Sequence, residues 1–200
     1  MARVCAANTG DAAARKHALR RQLLATRRRR SLAELIQSAA AITRHLLDQP
    51  EVAGATTVAA YVSVGAEPGT GPLLEALGER GVRVLLPVVQ ADHDLDWAPY
   101  AGAELLAPAG LGLLQPMTAT LGHDAIRAAD VVLCPGLAAD GHGNRLGRGG
   151  GSYDRALRRV RIGAPRWVLL YDEERLASVP VDEHDVPVSG TITPSGLIRC

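Results

Sequence analysis

Arginine, aspartate and glycine residues lie together between positions 143 and 155, in an arrangement suited to phosphate chemistry. Arg145 and Arg148 carry planar guanidinium groups that match pairs of phosphate oxygens. The glycines among them allow positive φ angles and a close approach of a ligand to the backbone. Asp154 can hold a metal ion that bridges such phosphates. The stretch therefore predicts a polyphosphate site, and its two arginines favour a triphosphate.

Other glycine-rich motifs fit this stretch less well. It is not a Walker A loop, because no Gly-Lys-Ser/Thr follows its spacer. It comes near a dinucleotide fingerprint through Gly147-x-Gly149-x-x-Ser152, with Asp172 as the acid at the end of the next apolar strand. A surface loop with a helix cap is the alternative that involves no ligand.

The neighbouring segments place the glycines in a turn between a strand and a helix. Residues 131–134 (VVLC) are apolar and β-branched, which is typical of a buried strand, and residues 156–160 (ALRRV) favour a helix. Backbone N–H groups converge in such a turn, and the helix dipole points its positive end outward. Both effects favour an anion at this place.

The first 30 residues hold nine Lys or Arg and a single acid, Asp11, which gives them a net charge of +8. An Arg-rich, acid-poor start is typical of an organelle transit peptide, and equally of a helix that delivers cations to an anion. Lys16 is the only lysine of the chain, and Arg20 shares its helical face. We interpret the run of arginines at 27–30 as a solvent-exposed face.

Strands and helices alternate along the rest of the chain. A capping box at Ser31 and Glu34 begins a helix with an apolar stripe that ends before Pro50. Further elements are predicted from the apolar patterns: strands at 57–63, 82–86 (closed by Pro87), 94–100 (at an edge), 131–135, 167–171 and near 191–193, and a helix at 72–80. Residues 101–129 are rich in Gly and Pro and receive no assignment.

This alternation predicts one three-layer α/β/α domain over residues 1–200, with a mostly parallel, Rossmann-like central sheet. Residues 1–12 are expected to be a flexible N-terminus. Ligands of such sheets bind beyond the carboxyl ends of the strands, the edge from which loop 64–70 and the glycine turn leave. We therefore expect one cleft that gathers Glu67 and Asp172 with the charged residues of the glycine turn.

Composition narrows the class of protein. With 47% hydrophobic and 22% charged residues, the chain is typical of a soluble globular domain, and its net charge of +1 disfavours a general nucleic-acid binder. Cys5, Cys134 and Cys200 are too far apart for a zinc site or a disulfide framework. No apolar run approaches the ~20 residues of a membrane span. We expect a cytoplasmic monomer with neither a nucleic-acid nor a membrane partner.

The stretch from Asn144 to Arg155 (NRLGRGGGSYDR), with its lead-in PGLA and Asp140, resembles the signature of the 5-formyltetrahydrofolate cyclo-ligase (methenyltetrahydrofolate synthetase) family. Further patterns agree in order along the chain: Lys16-x-x-Leu19-Arg20, Tyr61-Val62-Ser63, Glu67-x-x-Thr70, Val179-Pro180 and His184-Asp185-Val186. The resemblance spans about residues 13–193. Because Lys16 and Arg20 belong to it, it argues against a transit peptide.

The resemblance implies an enzyme that uses ATP and Mg²⁺ to close the formyl group of 5-formyltetrahydrofolate onto N10. The products are 5,10-methenyltetrahydrofolate, ADP and phosphate. A formamide oxygen is a poor leaving group, so it is phosphorylated first. Phosphoryl transfer needs positioning and charge neutralisation more than a protein nucleophile, which suits a chain without an obvious catalytic triad.

The resemblance also implies a role for each matching residue. The ATP-binding set is Lys16, Arg20, Arg145, Leu146, Gly147, Arg148, Gly149, Gly150, Gly151, Ser152 and Tyr153. The folate substrate is expected on Val62, Glu67, Arg148 and Tyr153. Asp154 and Asp185 would hold Mg²⁺, and Arg148 and Lys16 would be the catalytic cations.

Two departures from the family pattern concern the pocket wall. Ser152 stands where the family usually has an aromatic residue, and Pro68-Gly69 follows Glu67 and can shift its loop. Aromatic residues that could sandwich a pterin are few: Tyr61, Trp97, Tyr100 and Tyr153.

Two other functions stay open at this point. One is an NAD-dependent α/β oxidoreductase with Asp172 on a ribose. The other is a non-catalytic module that binds RNA or a partner through the basic N-terminal helix. The net charge of −7 carried by residues 31–200 disfavours the second.

Overall fold

A seven-stranded sheet forms the centre of the part of the chain that the structure, a computed structural model, describes (residues 4–200). The strands of the described residues, in chain order, are β1 Thr57–Ala59, β2 Arg83–Val89, β3 Leu95–Pro99, β4 Leu106–Pro108, β5 Leu114–Pro116, β6 Val131–Pro135, β7 Ala138–Ala139, β8 Arg145–Leu146, β9 Arg166–Leu169, β10 Gly190–Thr193 and β11 Gly196–Arg199. The large sheet has the order β11-β10-β9-β6-β1-β2-β3, and β4–β5 and β7–β8 are separate hairpins.

Helices cover both faces of this sheet. The α-helices of the described residues are α1 Val4–Arg27, α2 Leu32–Leu47, α3 Pro50–Ala53, α4 Gly71–Glu79 and α5 Ser152–Leu157. Short 3-10 turns occur at Ala103–Leu105, Gly110–Gly112, His123–Ala128 and Asp172–Glu174. None of the helices within residues 4–200 combines the length and the apolarity that a bilayer crossing requires.

The parallel part of the sheet explains where a cleft can form. β1 pairs in parallel with β2 through Ala59 and Leu85, and with β6 through Ala59 and Val132. The chain therefore leaves β1 towards one side for β2 and returns to its other side for β6. Such a reversal of direction opens a crevice at the carboxyl ends of the two strands.

Two apolar cores, one on each face of the sheet, hold the layers together. Ile42 and Leu46 of α2 pack with Leu73 and Leu77 of α4 on one face. Ala156 and Leu157 of α5 pack with Ile126 on the other. This confirms the three-layer α/β/α fold with a mostly parallel central sheet.

Most of the predicted elements are present, and β2 is longer than predicted. It runs through Pro87, which pairs with Trp97 of the antiparallel edge strand β3. The carbonyl of Leu85 accepts from Ala60 on the β1 side, so the backbone nitrogen of Pro87 faces that same side, beyond the end of β1. A proline costs no ladder hydrogen bond where the neighbouring strand has already ended.

The other predicted boundaries agree with the structure in part. The capping box of Ser31 and Glu34 is present at the start of α2. The glycine stretch holds an unpredicted hairpin, β7–β8, before α5, which includes Asp154 and ends at Leu157, so only the first two residues of the predicted helical stretch 156–160 belong to it. The expectation of a flexible segment at 1–12 stays a prediction: α1 begins at Val4, and residues 1–3 lie outside the described residues.

The interpretation of residues 27–30 as a solvent-exposed face is wrong for two of the four arginines. Arg27 is only 2% exposed and forms an ion pair with the equally buried Glu174. Arg30 contacts Glu173 and covers the ring of Tyr171. A positively charged side chain of a helix can face inward where the surface it packs against supplies a carboxylate. Here the carboxylates belong to Glu173 and Glu174, in a distant part of the chain.

Candidate active site

A cavity of about 650 Å³ lies at the carboxyl ends of β1 and β6, where the sheet reverses its direction. Its walls come from α1, the loop after β1, the glycine loop and the segment before β10, and also from β2, β3 and residues 113–115. Every residue that the resemblance assigns to a substrate or to the metal lines it: Lys16, Arg20, Val62, Glu67, Arg145, Leu146, Gly147, Arg148, Gly149, Gly150, Gly151, Ser152, Tyr153, Asp154 and Asp185. The predicted residues therefore come together from four separate parts of the sequence.

The glycine loop takes a shape that other residues adopt with difficulty. Gly149 has a φ of 107° and Gly151 a φ of 69°, both in the region that favours glycine. Arg20 packs on this loop, with its Nε donating to the carbonyl of Gly147 at 2.9 Å. A Cβ at Gly149 would lie 3.5 Å from the guanidinium carbon of Arg20. The loop and α1 thus fit closely against each other.

Arg145 is a buried residue that supports the loop. Its Nη1 donates to the carbonyl of Pro135 at 3.0 Å, and its Nη2 donates to Oδ1 of Asp154, also at 3.0 Å. The ring of Tyr153 lies 5.9 Å from the guanidinium carbon. The charge of Arg145 is therefore largely engaged in fixing Asp154 beside the end of β6.

Arg148 reaches across the cavity to Glu67. Its Nε lies 3.0 Å and its Nη2 2.8 Å from Oε1 of Glu67, while Oε2 accepts from the N–H of Val64 at 2.9 Å. Glu67 is buried, whereas just over half of the Arg148 side chain is exposed. The carboxylate is thus buried with both oxygens bonded, and the arginine is the more exposed partner.

Lys16 contacts two carboxylates. Its Nζ lies 2.7 Å from Oδ2 of Asp182 and 2.5 Å from Oδ2 of Asp185, and the lysine itself is buried. Burial alone would lower the pKa of Lys16, but the hydrogen bonds and charges of the two aspartates outweigh it and raise the pKa. Lys16 is therefore a permanent cation at this end of the cavity.

The two predicted metal ligands are neighbours. The N–H of Val186, next to Asp185, donates to Oδ1 of Asp154 at 3.3 Å. Within residues 4–200 no group of three or more His, Cys, Asp or Glu side chains is arranged to hold a metal ion. Two carboxylates still fit Mg²⁺, because this ion keeps several waters and takes phosphate oxygens as further ligands.

Two tyrosine hydroxyls in the cavity wall lack a hydrogen-bond partner among the described residues. Tyr61 is buried and Tyr153 is half-buried, both hydroxyl oxygens are enclosed, and burial raises the pKa of both side chains. Buried hydroxyls usually find a partner, so these two oxygens depart from the common pattern. Of the four aromatic residues considered for a pterin, Trp97 lies in the core and Tyr100 lines a different cavity.

The sequence did not predict several residues of the cavity wall. Asp182 is one of them. Its place in an acidic segment, three residues before Asp185, is the sequence signal that could have indicated it. The others are mostly apolar and come from β2, β3 and the unassigned region: Pro87, Val89, His93, Leu95, Leu113, Leu114 and Gln115. Apolar residues in short irregular segments carry no pattern that separates a pocket wall from a core.

Asp172 does not belong to the cavity. It begins the 3-10 turn after β9, its side chain is exposed, and its Oδ1 accepts from the N–H of Ser195 at 3.3 Å. The expectation that it shares the cleft with Glu67 is wrong, because the chain turns away from the cavity after β9. An NAD-dependent oxidoreductase with this acid on a ribose is therefore not favoured.

Known proteins resemble the chain over nearly its whole length. A model of the 5-formyltetrahydrofolate cyclo-ligase family matches residues 12–194. The 5-formyltetrahydrofolate cyclo-ligase of Mycolicibacterium smegmatis is 40% identical over 185 residues, covering 90% of this chain and 93% of that protein. The protein of the same name from Escherichia coli is 33% identical over 153 residues, covering 75% of this chain and 84% of that protein.

A solved structure agrees with these matches. The 5,10-methenyltetrahydrofolate synthetase of Aquifex aeolicus has a TM-score of 0.77 to this chain at 26% identity, with 92% of each chain covered. The fold is thus shared over nearly the whole chain.

Proposed function

The chain belongs to the 5-formyltetrahydrofolate cyclo-ligase family, and we propose that it converts 5-formyltetrahydrofolate to 5,10-methenyltetrahydrofolate with ATP and Mg²⁺. The observation that supports this most directly is the single cavity lined by the residues predicted for both substrates. The reaction must bring the γ-phosphate of ATP to a formyl oxygen. Two substrates held in one enclosed cavity react far faster than in solution.

The proposed chemistry has two steps. The formyl oxygen attacks the γ-phosphorus of ATP, and the bond between that phosphorus and the bridging oxygen of ADP breaks. N10 of the folate then adds to the activated formyl carbon and loses its proton, and the carbon–oxygen bond breaks as phosphate leaves. Both steps build negative charge on phosphate oxygens, which cations in a water-poor site stabilise.

Arg148 and Lys16 are the residues that we assign to this charge. Arg148 stands between two glycines and just over half of its side chain is exposed, so its guanidinium has room to follow the phosphoryl group as it transfers. Lys16 brings a second permanent cation from α1, together with Arg20 on the glycine loop. Arg145 contributes to ATP binding by holding Asp154 in place beside that loop.

Asp154 and Asp185 are the residues that would hold Mg²⁺. Their position next to Lys16 and the glycine loop puts negative charge where a phosphate-bound cation is expected. When bound, the ion would neutralise charge on the phosphates of ATP.

The folate end of the cavity is assigned to Glu67 and its neighbours. A carboxylate accepts well from the N–H groups of a pterin ring, and Glu67 lines the cavity together with Val62 and Tyr61. Tyr153 adds an aromatic ring, and Val89 and Leu95 add an apolar surface. These groups together suit a flat, partly polar ring system.

The test is the absorbance of methenyltetrahydrofolate during incubation with 5-formyltetrahydrofolate. We expect product only when ATP and Mg²⁺ are both present, with ADP formed in equal amount. Product formation without ATP would contradict the phosphorylation step. Binding of NAD together with no turnover of ATP would favour the oxidoreductase instead. A monomer in the cytoplasm stays a prediction, and sedimentation of the purified chain tests its oligomeric state.

A further inference from the structure

A buried ionic cluster lies behind the cavity, outside the residues assigned to either substrate. Arg27, at the end of α1, donates from Nε and Nη2 to the two oxygens of Glu174 at 2.6 and 2.7 Å. The same Nη2 donates to the carbonyl of Gly136 at 2.7 Å. Both side chains are almost fully buried. One guanidinium therefore joins α1, the end of β6 and the turn after β9.

The cluster extends to the loop that carries Glu67. Oε2 of Glu174 accepts from the backbone N–H of Tyr171 at 2.9 Å. The hydroxyl of Tyr171 donates to the carbonyl of Ala66 at 3.2 Å, one residue before Glu67. The Tyr171 ring also lies under the guanidinium groups of Arg27 and Arg30, whose central carbons are 5.6 and 3.6 Å from its centre.

Each connection leads to a part of the active site. Lys16, Arg20 and Arg27 occur at intervals of four and seven residues on α1, which places them on one face of the helix. Gly136 lines the cavity at the base of the glycine loop. The cluster thus fixes the cations of α1, the start of the glycine loop and the Glu67 loop relative to one another.

Simple stabilisation does not require such a cluster. A buried ion pair often contributes no more to stability than an apolar set of the same volume. Its bonds are directional, however, and a bidentate pair with a third bond to a carbonyl allows only one position of the helix. Burial alone would lower the pKa of Arg27, but the hydrogen bonds and charge of Glu174 raise it, so the guanidinium stays charged.

We propose that Arg27, Glu174 and Tyr171 are positioning residues that set the nucleotide-binding and folate-binding parts of the cavity in register with each other. They contact neither substrate and act through α1, Gly136 and the Ala66 carbonyl. The inference rests on the proposed function for the identity of the two substrates. The contacts of these three residues with α1, Gly136 and the Ala66 carbonyl belong to the fold and do not depend on which substrates bind.

Two variants separate the two connections. Tyr171→Phe removes only the hydroxyl that reaches Ala66 and keeps the ring. The double variant Arg27→Met with Glu174→Met removes both buried charges at similar volume, which such clusters often tolerate. Arg28→Met changes an exposed arginine next to Arg27 and is the matched control. Arg27→Lys keeps the charge without the planar fork and serves if the double variant does not fold.

Steady-state kinetics with each substrate varied gives the first readout. Tyr171→Phe is expected to raise the KM for the folate roughly threefold to tenfold while the KM for ATP stays at the wild-type value. The double variant and Arg27→Lys are expected to raise both KM values, the double variant by about tenfold or more. Arg28→Met should change neither. A Tyr171→Phe enzyme with unchanged folate KM, or with both KM values raised equally, would overturn the link to the Glu67 loop.

Amide hydrogen exchange gives a readout that does not depend on turnover. In the double variant, or in Arg27→Lys, the amides of residues 13–20 and of residues 63–67 should exchange faster, while those of β1 and β6 keep their protection. In Arg28→Met both segments should match the wild type. Exchange that rises in neither segment, or equally throughout the chain, would refute the positioning role. If the wild-type chain makes no methenyl-folate while the variants still differ from it in this exchange pattern, only the proposed function is refuted.

Discussion

Arg148 and Glu67 form an ion pair across the cavity, in which both guanidinium contacts go to the same carboxylate oxygen, Oε1. The other oxygen accepts from the backbone N–H of Val64. A pterin that hydrogen-bonds to Glu67 must therefore compete with Arg148. Under the proposed function, folate binding at Glu67 frees the arginine to turn towards the phosphates.

Arg148→Ala is expected to lower kcat by at least ~100-fold, as for other preorganised donors that act on the transition state. Arg148→Lys should restore only part of the activity, because an ammonium cannot reproduce the planar fork. Steady-state kinetics on the three forms, with circular dichroism to verify folding, provides the measurement. If Arg148→Ala kept the wild-type kcat and lost only affinity for ATP, the catalytic cation would have to be Lys16 or Arg145.

Glu67→Gln is expected to raise the KM for the folate by about tenfold to a hundredfold and to change the KM for ATP much less. The amide loses the charge-assisted acceptors that a pterin would use, which are worth roughly 1.5–3 kcal/mol. Measuring each KM at saturating levels of the other substrate tests this. Equal increases in both values would speak against a folate-specific role.

Asp154→Asn should leave the fold intact and raise the Mg²⁺ concentration needed for half-maximal activity. The asparagine oxygen can still accept from Arg145, so the support of the loop survives while the negative charge is lost. A titration of activity with Mg²⁺ at fixed ATP makes the comparison. An unchanged Mg²⁺ requirement would remove Asp154 from the proposed metal ligands.

Lys16→Ala should weaken ATP binding clearly, whereas Arg29→Ala should have no measurable effect. Lys16 is buried between Asp182 and Asp185 in the cavity, and Arg29 is an exposed residue beyond the end of the same helix. Calorimetric titration with a non-hydrolysable ATP analogue measures both. Similar losses in the two variants would mean that the helix acts only through its overall charge.

Asp94 gives a prediction about stability at low pH. The hydrogen bond from Arg159 lowers the pKa of Asp94 from 3.8 to about 2 in the folded protein. The folded-state pKa is thus below the unfolded one, so Asp94 stabilises the fold above pH ~4, and this contribution is lost as the pH falls towards ~2. Asp94→Asn should lower the free energy of unfolding at pH 7 by roughly 1–2 kcal/mol, and by much less near pH 2.

Urea unfolding at the two pH values measures this difference. Asp124→Asn, which changes an exposed carboxylate paired with Arg127, is the control and should have little effect at either pH. The same loss of stability at pH 7 and pH 2 in Asp94→Asn would show that the charge of Asp94 is not the cause.

The sequence predicted those parts of the fold that local patterns determine. The capping box of Ser31 and Glu34, the apolar run of β6 and the alternation of strands and helices each depend on residues close together in the chain. The placement of Lys16 and Glu67 at one cleft came from the resemblance and from the rule for parallel sheets. Apart from the resemblance, these predictions rest on short-range patterns or on general topological rules.

What the sequence did not predict depends on pairs that are far apart in the chain. Arg27 looked exposed because its partner, Glu174, is 147 residues away and nothing near Arg27 marks it. Asp172 looked like a site residue because it follows an apolar strand, but the turn after β9 leads it away from the cavity. Such contacts follow from the packed structure and not from a pattern in either segment.

Lys16 and Asp182, which meet in the cavity, are separated by 166 residues. During synthesis at about 5–20 residues per second, roughly 10–30 s pass between the appearance of one and the appearance of the other. For that time α1 carries its buried cations without their counter-ions, while β1, β2 and β6 are already available to pair. The nascent chain can therefore pair the central strands of its sheet before the carboxylates that neutralise Lys16 have been made, and strands β10 and β11, at one side of the sheet, follow later still.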